Sequence, residues 1–271
     1  MAETSEPSCC PAGSAGYLAA DYATAGAFAS FGEGAAKVDC YVSGDAAARR
    51  AVILAPDVWG WNSGRTRALA DAFAARGFFA LVPKVLDVGG GLEGGTDGDG
   101  LPPGFDMAGR RADFMEWIKK HPHAGHLDAK IGSLLAGIAA EKVAGVGFCW
   151  GGYFVAHLAA AGGARVSSIA SAHPSIQIAG VHGEDAAALC RAVACPSLLL
   201  PAGNDDKALY GEEGSLVAAL KEGNAASAMR VFPDVTHGWT TRGDITDAAV
   251  ARDTQIALDL MLDFTEKHSA V

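Results

Sequence analysis

The segments RRAVILAP (49–56) and FFALVPKV (78–85) are apolar almost throughout, and neither alternates. A strand with one wet face alternates, whereas a run like these is buried on both faces, as in a parallel sheet layered between helices. VAGVGF (143–148), VSSIASAH (166–173), PSLLLPAG (196–203) and AMRVFPD (228–234) are further strand candidates. KVDCYVSG (37–44) alternates and ends in glycine, as a half-exposed strand would. Helical stretches separate these runs. Residues 65–77 place Leu69 and Phe73 four apart and stop at a glycine C-cap. Residues 106–121, 127–142 and 151–162 read as helices, and 245–268 as a long amphipathic one. Such alternation builds an α/β fold, with a mostly parallel central sheet and helices on both faces.

The length, 271 residues, suits one large domain. We expect a partly flexible N-terminal segment at 1–34 and a single α/β domain at 35–271. The glycine-rich stretch 87–104 is a loop rather than an interdomain linker, because strand–helix alternation resumes after it. A net charge of −10 disfavours nucleic acid and anionic membranes as partners. There is no 18-residue apolar run, so no membrane span is expected. The start, MAETSEPSCCPAGSAG, lacks the basic and apolar regions of a secretory signal, which points to the cytoplasm. There the six cysteines are expected to be reduced. Cys9 and Cys10 are adjacent, which suits neither a tetrahedral zinc site by itself nor an ordinary disulfide. They read as part of a loosely docked N-terminal segment, with a redox or metal role as the alternative.

The stretch GVGFCWGGYF (145–154) carries the chemistry. Gly147-Phe148-Cys149-Trp150-Gly151 has the spacing of a nucleophile elbow, with cysteine as the nucleophile. A strand that turns sharply into a helix strains the residue at the bend, and side chains two positions either side would clash. The turn aims the helix N-terminus and the Trp150 amide at the sulfur, which favours a thiolate and a developing oxyanion. In this fold class the acid and then the histidine follow the nucleophile in the chain. LLLPAGNDD (198–206) offers Asp205, with Asp206 read as a helix cap or surface charge, and VFPDVTHGW (231–239) offers His237. Both lie just past the carboxyl end of a strand, where open α/β sheets place their ligands. His173 also ends a strand but precedes the acid, so it is a candidate either to support the triad from behind or to line the pocket wall. His121, His123, His126, His157, His182 and His268 read as packing or solvated residues. The loop DVWGWN (57–62) supplies Val58 as the second oxyanion donor, beside Trp150. Asp57 in that loop either tunes the thiol and takes its proton or braces the loop.

ILAPDVWGWN, VGFCWGG, AGNDD and THGWTTR, in that order, resemble the dienelactone hydrolase family of the α/β-hydrolase superfamily. CWGG and AHPS are closer to its eukaryotic branch. The resemblance runs from about residue 35 to the C-terminus. It implies a Cys149–His237–Asp205 triad and hydrolysis of a small-molecule ester or lactone through a thioester, with no cofactor and no metal. A glutamate occupies the position of Asp57 in the family and holds the resting thiol; here the side chain is one methylene shorter. The resemblance also makes Arg242 a candidate for holding a substrate carboxylate, with Arg110 and Arg111 as further candidates. Trp59, Trp61, Phe105, Trp150, Tyr153 and Trp239 suggest an aromatic pocket wall. The alternative is an α/β-hydrolase fold kept as a binding or scaffold protein with weak or no catalysis. The sequence leaves the oligomeric state open.

Overall fold

A computed structural model of the chain describes residues 10–87, 92 and 96–271. In chain order its strands and helices are β1 (Ala27–Phe31), β2 (Val38–Ser43), β3 (Arg50–Ala55), α1 (Thr66–Ala75), β4 (Phe79–Pro83), α2 (Arg111–Ile118), α3 (Asp128–Gly137), β5 (Lys142–Phe148), α4 (Gly151–Gly162), β6 (Val166–Ala172), α5 (Ala186–Ala192), β7 (Ser197–Leu200), α6 (Lys207–Tyr210), α7 (Ser215–Gly223), β8 (Ala228–Met229), α8 (Trp239–Arg242) and α9 (Ala248–His268). The described strands form one sheet in the order β1-β2-β4-β3-β5-β6-β7-β8. The first two pairings, β1 with β2 and β2 with β4, are antiparallel, and the rest are parallel.

The uninterrupted apolar runs are the sheet's centre. Every residue of β4 is buried, and so is every residue of β3 and β5 after the first. One face packs against α2, α3, α4, α5 and α7, whose apolar residues join Ile53, Leu81 and Val143. The other face packs against α1 and α9, through Leu69 and Phe73 from the first and Ala257, Met261 and Leu262 from the second. Gly77 follows α1 at φ 81, a left-handed residue that ends the helix where the sequence placed a cap.

Three differences from the sequence reading have physical causes. AFASF at 27–31 forms β1 inside the stretch expected to be an N-terminal tail; its mostly exposed edge gives no buried apolar run to recognise. The last strand is two residues rather than the seven read from AMRVFPD; beyond it the edge stays attached only through the Arg230 and Phe232 amides, which donate to the Leu199 and Pro201 carbonyls at 2.9 Å, and an isolated bridge from Phe232 to Ala202. Helices α5 and α7, which pack on each other, were not anticipated.

The glycine-rich stretch lies partly outside the described residues. Its described end is fastened by Asp99, a fully buried carboxyl that accepts from the amides of Trp61 and Leu86, both at 2.7 Å. Burial pushes the Asp99 carboxyl up to about 7.

Gly147 and Gly151 are required by close approach. A Cβ on Gly151 would stand 2.2 Å from the Ala55 carbonyl oxygen, and one on Gly147 2.4 Å from the Gly151 oxygen. The start of α4 is thus wedged against the end of β3. Gly132, exposed in α3, has nothing within 4 Å of its would-be Cβ. We expect Gly151→Ala to cost about 3 kcal/mol in urea unfolding, from overpacking against backbone that cannot yield. Gly132→Ala should instead stabilise the chain by about 0.5–1 kcal/mol in the same assay.

Candidate active site

Four strand ends converge here. Asp57 and Val58 follow β3, Cys149 follows β5, His173 follows β6 and Asp205 follows β7. His237 sits in the turn between β8 and α8. This is the carboxyl edge of the parallel portion of the sheet, the position anticipated for ligands in open α/β sheets.

Cys149 has φ 54, a left-handed conformation that a β-carbon disfavours. The bend is held by its own backbone: its carbonyl accepts from the Gly152 and Ser175 amides, each at 2.9 Å. α4 starts two residues later, so its N-terminal end lies next to the sulfur. Among the described residues neither the Val58 nor the Trp150 amide makes a hydrogen bond, and both residues are fully buried. Two undonated N–H groups in a dry site await an acceptor.

His237 Nδ1 lies 2.6 Å from Asp205 Oδ1, with both side chains almost wholly buried. Asp205 Oδ2 accepts the Ala202 amide at 2.7 Å, which fixes the carboxylate plane. A ring nitrogen of His237 and the sulfurs of Cys149 and Cys10 lie within 4.8 Å of one another. With Nδ1 taken by Asp205, Nε2 is the nitrogen left for the sulfur side. Burial alone would lower the His237 pKa. Negative charge on Cys149 and Asp205 more than offsets this and holds the imidazole at about 9. The three residues read from the sequence as a triad are therefore brought together. Asp206, set aside as a cap, does cap α6 by accepting the Ala208 amide at 2.8 Å.

Of the two roles expected of Asp57, its contacts are those of the brace. Its oxygens accept from the Trp59 amide at 2.9 Å, Ser63 Oγ at 3.3 Å, Thr241 Oγ1 at 2.8 Å and Arg242 Nε at 2.8 Å. None of these bonds goes to the thiol. The carboxylate is the counter-ion of Arg242, and both side chains are completely buried. A direct hydrogen bond from Asp57 to the resting sulfur is thus replaced by an ion pair alongside it. Arg242 Nη1 donates to the Gly16 carbonyl at 3.0 Å, while Nη2 is buried with no partner. The charges of Asp57, Cys10 and Cys149 all favour the guanidinium against its burial.

His173 stands beside the triad histidine, the supporting one of its two expected positions. It is fully buried at φ 39, shares a 2.7 Å hydrogen bond with Thr240 Oγ1 and packs edge-on against His237 at 4.8 Å. Burial first, then the nearby His237 and Arg242, hold it well below its usual range, so it is neutral. Trp239 packs on His173 and Phe232. Trp59 faces Tyr17 across 5.8 Å and, with Phe105, lines a cavity of about 370 Å³. Trp61 is on the other side of the sheet, under the Arg67 guanidinium. Tyr153 donates to Glu184, and Trp150 packs beside it. Arg110 pairs with Asp113 near the surface, and Arg111 lines a second cavity.

Two residues at the sulfur were not anticipated. Ser175 Oγ donates to Cys149 Sγ at 3.7 Å, and Cys10 Sγ is 3.7 Å from the same atom. Cys10 begins a strap laid across the site. Asn204 Nδ2 donates to the Ala12 carbonyl at 3.0 Å, the Ala15 amide donates to the His237 carbonyl at 2.8 Å, and the Gly64 amide donates to the Leu18 carbonyl at 2.7 Å. Under it Cys149 is fully buried. Cys9 lies outside the described residues. The remaining thiols are structural: burial pushes Cys190 up to about 12 and Cys195 to about 11, and raises Cys40 further. No helix among the described residues is long and apolar enough to cross a membrane.

Removing one partner of a buried ion pair strands the other charge. We expect Arg242→Ala to cost about 3–5 kcal/mol in denaturant unfolding.

Comparison with known proteins agrees with this architecture. The model of the dienelactone hydrolase family matches residues 38–269. A carboxymethylenebutenolidase homolog of Rattus norvegicus is 27% identical over 202 residues, 72% of each chain. That of Homo sapiens is 33% identical over 115 residues, 41% of each chain. Among solved structures, a putative dienelactone hydrolase from Klebsiella pneumoniae gives a TM-score of 0.62 at 18% identity, covering 89% of this chain and 99% of that one. A dienelactone hydrolase from Anabaena variabilis gives 0.58 at 17% identity, covering 86% and 95%. These structures bear on the fold, which is the α/β-hydrolase fold. With the family match extending from β2 to the last residues after α9, the chain belongs to the dienelactone hydrolase family.

Proposed function

We propose that this hydrolase-family chain cleaves small-molecule esters or lactones through a thioester acyl-enzyme on Cys149. The observation that carries the reading is the line Asp205–His237–Cys149, with 2.6 Å between carboxylate and imidazole and the sulfur on the far side of the ring. His237, oriented by Asp205, takes the thiol proton. The thiolate adds to the acyl carbon, and the Val58 and Trp150 amides receive the oxyanion, each worth about 3 kcal/mol by analogy with single-donor removal elsewhere. His237 returns its proton to the leaving alkoxide. It then activates a water that hydrolyses the thioester and regenerates the thiol. No cofactor enters this cycle.

Substrate reaches the sulfur from the cavity bounded by Tyr17, Trp59, Phe105 and Met107. Because Cys149 is fully buried under the strap, part of that strap moves aside during turnover. The unpartnered Arg242 Nη2 offers a donor to a substrate carboxylate. Arg242→Lys, which keeps the charge of the buried pair, should raise KM for carboxylate-bearing lactones and leave neutral esters unchanged; equal effects on both would remove that role.

The test of the reaction is direct. An activated ester should leave an acyl adduct on Cys149, seen as a mass increase confined to that residue, and Cys149→Ala should abolish both adduct and turnover. Absence of the adduct, with turnover across an ester and lactone panel unchanged in the variant, would favour the scaffold alternative.

The pH profile follows from His237. Its pKa is raised from 6.5 to about 9. The stability this proton contributes is therefore present in full below 6.5 and lost as pH rises through about 9. The same proton is the one delivered to the leaving group, so kcat/KM should fall with an upper limb near 9. Asp205→Asn should lower kcat by ~10³–10⁴-fold and move that limb to lower pH.

A further inference from the structure

Cys10 has no part in the reaction just described, yet its sulfur touches the sulfur that does. The separation is 3.7 Å. That is far longer than the ~2.05 Å of a disulfide. It matches the edge of a zinc–thiolate tetrahedron, roughly 3.8 Å when each Zn–S bond is ~2.3 Å. A ring nitrogen of His237 completes a triangle of donor atoms, all within 4.8 Å of one another.

Three further features fit a metal. His237 Nε2 is buried on the side of the ring that faces Cys149, while Nδ1 is held by the Asp205 carboxylate at 2.6 Å. A carboxylate behind the ring is the usual arrangement for a metal-ligating histidine, because it fixes the ring and raises its basicity. The Arg242 guanidinium acts electrostatically on both Cys10 and Cys149, which favours the thiolate form of each. Two thiolates and one divalent cation then sum to zero charge inside a dry site. Finally, Cys10 is on an anchored segment: the strap is fastened to Asn204, His237, Arg242 and Gly64 through its main chain.

We propose that Cys10 Sγ, Cys149 Sγ and His237 Nε2 bind a thiophilic divalent cation, zinc in the first instance, and that this shuts the enzyme by capping its nucleophile. The fourth tetrahedral position is left to water. Binding displaces two protons, one from the Cys10 thiol and one shared by Cys149 and His237, and neither sulfur changes oxidation state. The inhibition rests on the proposed role of Cys149 as nucleophile; the binding does not.

The experiment uses the full chain, stripped with a chelator and kept in a non-thiol reductant so that no disulfide forms. Cobalt(II) is titrated first, and zinc is then added to displace it. The expected result is one cobalt per chain, with tetrahedral visible bands and near-ultraviolet thiolate charge-transfer absorption. Zinc should abolish these bands and, added to metal-free enzyme, ester turnover as well. Cys10→Ser should retain turnover in chelator but need at least ~100-fold more zinc for half-inhibition, and its thiolate absorption should fall by about half. Cys10→Ala, which removes the donor outright, should behave alike. Equal zinc sensitivity in wild type and both variants, or cobalt bound without thiolate absorption, would overturn the site. Cobalt bands that depend on Cys10, with zinc leaving turnover untouched, would keep the metal site and overturn thiol catalysis instead.

Discussion

The buried pair between Asp57 and Arg242 organises everything around the sulfur. Each ion costs several kcal/mol to take out of water, and the cost is offset only when the remaining lone pairs and protons are satisfied. Here Asp57 also collects the Trp59 amide and the hydroxyls of Ser63 and Thr241, while Arg242 reaches the Gly16 carbonyl. One interaction therefore joins the loop after β3, the short helix α8 and the N-terminal strap. It fixes Val58, the next residue after Asp57, and it fixes Trp59, whose ring borders the cavity. The oxyanion side and the acyl side of the site are set by the same two charges.

The sheet supplies the rigid part of this arrangement and the strap the adjustable part. The ends of β5 and β6 carry two non-glycine residues with positive φ, Cys149 and His173, each held by backbone hydrogen bonds into neighbouring segments. Such conformations cost of order 1–3 kcal/mol and persist only where packing over-determines them. Gly147 and Gly151 provide that packing by letting β3 and α4 meet backbone to backbone. The strap meets the site through scattered main-chain hydrogen bonds and the Tyr17 ring, with no strand of its own beyond the single Ala19–Ser63 bridge.

The centre of the fold was legible because burial on both faces leaves an uninterrupted apolar run, as in Ala51–Ala55 and Phe79–Val82. The elbow was legible because its steric demand falls on fixed neighbours, Gly147 and Gly151. The edges were not: Phe28 in β1 is 65% exposed, and β8 is a two-residue edge strand. Within the site, Cys149, Asp205 and His237 follow from chain order, since each comes after a strand. Asp57 and Arg242 could be placed near the sulfur but not paired with each other, because they stand 185 residues apart and nothing local records the contact. Cys10 was harder still. Its neighbour at the sulfur is 139 residues away, and the strap that carries it has no periodicity to read. Ser175, two residues past a strand in AHPS, is one polar residue among many until β6 is set beside β5.

The strap also has a consequence in time. A chain is made from its N-terminus, so these residues leave the ribosome before the sheet they cover. Their attachment points leave late: Gly16 must await Arg242, 226 positions downstream. Only Ser63 and Gly64, which hold Ala19 and Leu18, are made early; the thiol of Cys10 meets its counterpart only after the sheet has closed around the elbow. The covering of the nucleophile is thus among the last contacts a newborn molecule can make, and a chain released short of α8 would leave its sulfur bare.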